Sequence, residues 1–357
     1  MNGMEERTTL VHGGDWAGFA AEYGAMPLDF SANVSPLGVP DGVRRAIEQA
    51  ADQADRYPDP LCRALCAAIG QKEAVPAEYI LCGNGAADLI FRAVLARKPR
   101  KALVTVPSFA EYAAALETVD CEIIRYALKE ERDFRLEADF LQAITPDMDM
   151  VFLCQPNNPT GLTSPRELLL RVAERCRDCG TLLVLDECFT DFLDVPEAHS
   201  LKGELESFPN LLILKAFTKL YAMAGVRLGY ALSADASLLE VLAQAGQPWA
   251  VSSLAQAAGI AALGETDYVQ RLRGLIGAER PWLLGELTAL GLRVIPGEAN
   301  YLLFACARPL TLPLRQRGIL IRSCANYPGL DDRWYRVAVR SHEENRRLVA
   351  ALREVLL

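Results

Sequence analysis

Between residues 75 and 235 the chain carries seven short, mostly apolar runs, at 79–82, 102–106, 121–124, 150–154, 182–186, 211–214 and 228–231. Most are apolar at consecutive positions rather than at alternate ones. A strand of that kind must be covered on both faces, which is the situation of a parallel sheet held between two helical layers. Segments of helical period fill gaps between the runs, at 86–96 and 164–177 among others. The expectation is an α/β fold whose large domain has a mainly parallel seven-stranded sheet between helices. A helical stretch over 253–290 then gives way to runs at 292–295, 301–304, 319–321 and 335–339 and to a final helix from Glu343. That order reads as a smaller α+β C-terminal domain. With 357 residues, 51% of them hydrophobic, two packed domains suit the chain better than one core. The expected division is an N-terminal arm at 1–40 joining the small domain, a large domain at 41–250, and a long connecting helix with the small domain at 251–357.

Open α/β sheets bind ligands beyond the carboxyl ends of their strands, so the residues just after the runs are the ones to read. Gly83-Asn84-Gly85-Ala86-Ala87-Asp88 leads from a run into a helix, where backbone N–H groups and the helix dipole suit an anion. Asp88 stands where a dinucleotide fingerprint needs its third glycine, which argues against a nicotinamide site. Asn158 lies in Pro156-Asn157-Asn158-Pro159-Thr160-Gly161, and Asp186 ends a strongly apolar run. Lys219 follows Ala216-Phe217-Thr218 and precedes Gly225-Val226-Arg227-Leu228-Gly229-Tyr230. Each feature alone has a plain reading as a tight turn, an Asn-Pro turn, a cap or a surface lysine. Together they supply a lysine able to form a Schiff base, an arginine for a phosphate, an aspartate for a pyridinium nitrogen and an asparagine for a phenolic oxygen. That combination describes a pyridoxal phosphate site. A carboxylate at a buried strand end also needs a cationic or donor partner, and a pyridinium N–H is one.

Charge and composition remove other classes. A net charge of -9 with no Lys/Arg block argues against nucleic acid and anionic membranes as partners. The N-terminal residues lack a signal-peptide pattern and no apolar stretch is long enough to span a bilayer, so a cytoplasmic location is expected. No basic helix-turn-helix pattern precedes the first motif, which argues against a DNA-binding regulator. Ten scattered cysteines fit reduced, mostly buried thiols. Cys176 and Cys179 form a C-x-x-C pair without a second Cys/His pair nearby, and no metal site is expected.

These segments resemble fold-type I pyridoxal phosphate enzymes of the class I/II aminotransferase superfamily, over essentially the whole chain. The resemblance implies that Lys219 holds the cofactor covalently, Asp186 pairs with its ring nitrogen, and Asn158 bonds its phenolic oxygen. It further implies that Gly85, Ala86, Ala87, Thr218 and Arg227 surround the phosphate and that Phe109 stacks on the ring. Tyr57 of Arg56-Tyr57-Pro58 would reach the cofactor of a neighbouring subunit, which implies a homodimer with shared active sites. Two positions depart from the family pattern: Ala216 replaces a serine that binds the phosphate, and Phe189 replaces a tyrosine that donates to the phenolic oxygen.

Within the superfamily the chain looks most like the branch that holds threonine-phosphate decarboxylases, of the cobalamin pathway, and histidinol-phosphate aminotransferases. The segments that carry this are His12-Gly13-Gly14, the stretches 29–38, 56–60, 186–192 and 248–256, Gly318-Ile319-Leu320-Ile321-Arg322, and Tyr335-Arg336-Val337-Ala338-Val339-Arg340. The implied substrate is a phosphorylated amino acid, with Arg336 on its carboxylate, Arg322, His12 and Asn33 on its phosphate, and Gly13 and Asn158 also among the residues that bind it. Two guanidinium groups can each grip an anion through two parallel bonds. The expected reaction is decarboxylation of L-threonine O-3-phosphate, with transamination of the histidinol-phosphate type as the alternative.

Overall fold

The computed structural model describes residues 12–357. All seven runs form strands: β2 (Ile80–Gly83), β3 (Lys101–Val106), β4 (Glu122–Ala127), β5 (Met150–Cys154), β6 (Leu182–Asp186), β7 (Leu211–Ala216) and β8 (Gly229–Leu232), after a short β1 at Leu28–Asp29. They make one sheet in the order β2-β8-β7-β6-β5-β3-β4. Only β8 runs against its neighbours, so the sheet is mainly parallel.

Every residue of β5 and β6 is buried, which is why these runs are apolar throughout. Alternation along the strands feeds two separate cores. Val151, Leu153, Leu183 and Leu185 pack on one face, while Phe152, Val184, Leu212 and Leu214 pack on the other. Each such side chain contributes on the order of 1.5–3 kcal/mol on burial. The edge strand β4 is only half-buried and carries Glu122 and Arg125, charges that discourage pairing with another chain. The helix Arg166–Cys179 lies against the first core through Leu169, Val172, Ala173 and Cys176 and stops at Gly180, whose φ of 70 suits a residue without Cβ.

After β8 come β9 (Arg293–Val294), β10 (Tyr301–Ala305), β11 (Ile319–Leu320), β12 (Arg322–Ser323) and β13 (Trp334–Ala338). Four of these form an antiparallel sheet in the order β12-β13-β10-β9. The remaining one, β11, pairs in parallel with β1, with Leu28 opposite Ile319. One expectation needs correction: the stretch 253–290 is not one helix but two, Ser253–Leu263 and Thr266–Ala289. Gly264 and Glu265 divide them, Gly264 being a poor helix residue and Glu265 taking a non-helical ψ of 56. The final helix, His342–Leu356, starts where Ser341 and Glu344 form a capping box.

The parallel strands end together. Val106, Cys154, Asp186 and Ala216 lie along one edge of the sheet, and Gly229 is opposite both Ala216 and Gly83 there. The segments read as chemical in the sequence all leave from that edge.

Candidate active site

A cavity of about 370 Å³ opens at this edge, closed on its far side by β12, β13 and the residues before β1. At one end is the N-terminus of the helix Gly85–Arg97, whose first N–H groups have no partner within the helix. Ala86 and Ala87 line the cavity there, with Thr218 and Arg227. Two glycines permit this approach. A Cβ on Gly229 would stand 2.6 Å from the Ala86 nitrogen, and one on Gly85, whose φ is +81, would stand 2.7 Å from Nη2 of Arg227. Asp88 accepts from the Asn84 N–H at 2.8 Å and is itself paired with buried Arg92 at 2.9 Å, so its charge is balanced beside the helix N-terminus.

Lys219 sits on the short helix Phe217–Leu220 that follows β7, and its side chain reaches the middle of the cavity wall. Burial pushes its amine down to about 8, helped by the Arg336 and Arg227 guanidinium groups. Roughly one molecule in ten is then neutral at pH 7, against fewer than about one in a thousand for an ordinary lysine.

Asp186, 5% exposed, keeps its carboxylate fixed by two donors. The Tyr112 hydroxyl donates to Oδ2 at 2.7 Å and the Cys188 N–H to Oδ1 at 3.0 Å. Burial and the Asp186 charge hold the Tyr112 phenol well above its ordinary value, so it stays a donor. Tyr112 stacks on Phe152 at 4.9 Å and meets the ring of Phe109 edge-on at 5.6 Å, and Phe109 lines the cavity.

At the other end, Arg336 of β13 is opposite Arg322 of β12. Nη2 of Arg336 donates to the Ser31 carbonyl at 3.0 Å and Nη1 to the Asn158 side chain, while its buried Nε has no partner. Arg322 donates to Asn326 at 2.7 Å and lies over the Tyr327 ring, 5.5 Å from its centroid. His12, Gly13 and Asn33 complete this wall. Among the described residues, none of Lys219, Arg227 and Arg336 forms an ion pair with a carboxylate. The cavity is therefore a cationic hollow, and among the described residues two carboxylates line it, Asp186 and Glu111.

The structure thus brings together His12, Gly13, Asn33, Ala86, Ala87, Phe109, Asn158, Asp186, Thr218, Lys219, Arg227, Arg322 and Arg336, with Gly85 directly behind Arg227. Tyr57 stands apart. It is 80% exposed and stacked on Trp249 at 4.5 Å, outside the cavity. The two departures, Ala216 and Phe189, both line the cavity and place apolar surface there. Tyr112, Glu111 and Tyr327 were missed in the sequence. Glu111 and Tyr112 follow Phe109 within one helical turn, but nothing in the sequence ties Tyr112 to an aspartate 74 positions away.

Comparison with known proteins decides the family. The pattern of aminotransferase class I and II matches residues 25–352. The chain belongs to the aminotransferase class I and II family. This family member is 43% identical to the threonine-phosphate decarboxylase of Salmonella typhimurium, over 97% of its own length and 96% of that protein's. It is 36% identical to a histidinol-phosphate aminotransferase of Desulfitobacterium hafniense, over 91% of each chain. Its fold matches the histidinol-phosphate aminotransferase of Sinorhizobium meliloti solved with pyridoxal-5'-phosphate, at a TM-score of 0.87, 24% identity and 98% coverage of each chain. The fold-type I architecture that the resemblance implied is the one these aminotransferases share.

Proposed function

We propose that this aminotransferase class I and II protein is a pyridoxal phosphate-dependent decarboxylase of a phosphorylated amino acid, L-threonine O-3-phosphate, yielding (R)-1-aminopropan-2-yl phosphate in cobalamin biosynthesis. The observation that carries the reading is the cationic wall formed by Arg322 and Arg336, which lies beyond the anion-binding turn at Gly85–Ala87 and so offers a second and a third anion its own arginine. The similarity to the Salmonella decarboxylase supports the same choice.

The cavity suits the cofactor on its own terms. Glycines at 85 and 229 leave a cradle that any Cβ would fill, a fixed carboxylate waits at Asp186, and a lysine with a depressed pKa stands beside them. Gly85, Ala86, Ala87, Thr218 and Arg227 would hold its phosphate, Asp186 its ring nitrogen, Asn158 its phenolic oxygen and Lys219 its aldehyde carbon, with Phe109 against the ring. Bound there, pyridoxal phosphate supplies an electron-withdrawing ring that weakens whichever bond at the substrate Cα stands perpendicular to it. The chain's own residues choose that bond. Arg336, braced by Asn158 and the Ser31 carbonyl, grips the substrate carboxylate, while Arg322, His12 and Asn33 hold its phosphate. Fixing both ends sets the rotation about Cα and turns the carboxylate upright. Lys219 then delivers a proton to Cα after CO₂ has left.

Histidinol-phosphate transamination is the second reading, favoured by the Desulfitobacterium relative. The test is incubation with L-threonine O-phosphate without a keto acid, following CO₂ and product mass. A product lighter by one CO₂ supports the decarboxylase; amine loss only after 2-oxoglutarate is added overturns it. The proposal extends to a homodimer in which Tyr57 reaches the partner's cofactor, to a cytoplasmic location, and to a division into arm, large domain and small domain near residues 40 and 250. No helix among the described residues is long and apolar enough to cross a membrane.

A further inference from the structure

One carboxylate in the cavity has no part in the chemistry above. Glu111, the first residue of the helix Glu111–Glu117, faces a hollow otherwise built to attract anions. Its Oε1 lies 2.9 Å from Nε2 of His12, which enters from the segment before β1. The backbone that presents His12 is fixed closely. Gly14 donates its N–H to Ser31 Oγ at 2.8 Å, Ser31 Oγ donates to Asp29 at 2.6 Å, and a Cβ on Gly13 would stand 2.3 Å from the Ser31 carbonyl. Asn33, 3% exposed in the same wall, leaves its side-chain oxygen without a partner.

We propose that Glu111 is a positioning residue for the substrate phosphate, acting through His12; the inference rests on the reading of this wall as the phosphate end of the substrate site. The argument is one of donors and acceptors. A phosphate ester dianion offers acceptors only, so a ring nitrogen that contacts it must carry a proton. Nε2 of His12 is engaged by Glu111, which leaves Nδ1 for the ligand. Both nitrogens donate together only in the imidazolium form, and Glu111 sets a carboxylate against Nε2 of that ring. Glu111 therefore does two things at once: it fixes the ring's orientation, and it makes the ligand-facing nitrogen a charge-assisted donor. Phe109 lies beside the His12 ring, 6.3 Å between centroids.

The test uses holoenzyme carrying Glu111→Gln, which keeps an acceptor for Nε2 and removes the charge, beside Glu111→Asp, which keeps the charge. Expected for E111Q is a loss of about tenfold in kcat/KM with phosphothreonine, most of it in KM, and a matching rise in the inhibition constant of inorganic phosphate. E111D recovers part of both, and the cofactor's visible band stays in place in all three proteins. The chain has only three histidines, so the His12 C2–H proton signal is identified by its disappearance in His12→Gln. Inorganic phosphate is expected to move that signal in the wild type and to need about tenfold higher concentration to move it in E111Q. An unchanged KM and an equal phosphate response in E111Q overturn the proposal, as does a loss confined to kcat. Should phosphothreonine release no CO₂ at all, the decarboxylase reading fails by itself, and the phosphate titration still decides the role of Glu111.

Discussion

Lys215 lies near the end of β7 and Lys219 four residues on, in the short helix that follows; Lys215 is buried and Lys219 half-buried, and their amines are driven in opposite directions. Around Lys215, burial alone would lower the pKa, but Asp191 and Glu73 hold it well above its ordinary value. Its Nζ is 3.1 Å from each of those carboxylates. Glu73 in turn, against the burial that would raise it, is held down to about 2 by Lys215 and Lys202, and it accepts from the Tyr230 hydroxyl at 2.6 Å. Lys219 is also desolvated, although it opens onto the cavity, and it has arginines where Lys215 has carboxylates. Desolvation is thus common to both, and the sign of the neighbours decides which amine is structural and which is chemically available.

The largest effect that would break this contrast is at Lys219. Lys219→Ala is expected to lower activity by about 10⁴-fold or more and to abolish the visible band of the bound cofactor, while the protein still unfolds cooperatively in urea. If Lys215 could replace it, band and activity would persist. The reverse substitution sharpens the point: Lys215→Met leaves Glu73 and Asp191 buried without their cation and is expected to destabilise the fold by about 3–5 kcal/mol in urea titrations.

A smaller effect concerns the arginines. An amine depressed in the folded state contributes stability that is present above its unfolded value of 10.5 and is lost as pH falls through about 8. Apoprotein stability should therefore rise between pH 8 and 10.5, and Arg336→Gln should flatten that rise while moving the midpoint for acylation of Lys219 upward. The smallest effect lies at Glu187, beside Asp186, where burial pushes the carboxyl up to about 7 despite the nearby Lys215. Its contribution is fully present below 4.5 and lost as pH rises to about 7. Glu187→Gln should remove that decline from the pH-stability curve. A curve identical to wild type would show that Glu187 is ionised in the fold.

The sequence made the sheet legible because burial on both faces leaves unbroken apolar runs, and β5 and β6 fall at the expected bounds. Three residues of the cavity lining were legible for a related reason: Asp186 ends a recognisable strand, and Asn158 and Lys219 come a few residues after one. The division of the 253–290 stretch was not, since Gly264 is tolerated inside many helices and only the tertiary path shows that the chain turns there. The network of Glu73, Lys202, Lys215 and Asp191 was equally hidden. It joins positions up to 142 residues apart, and a lysine or glutamate in a helix or strand ordinarily reads as solvated surface. Tyr112 escaped for the same reason, because its partner lies across the sheet rather than along the chain.

The facing arginines of β12 and β13 carry one more consequence. Like charges placed directly opposite in an antiparallel pair oppose folding, so Arg322 and Arg336 store a repulsion that an anionic ligand relieves. Ligand that binds only the folded chain at about a hundred times its dissociation constant adds about 2.7 kcal/mol to stability. Resistance to proteolysis should then follow the supply of that ligand, and the amount of this protein that survives between rounds of synthesis becomes a record of how much work there is for it.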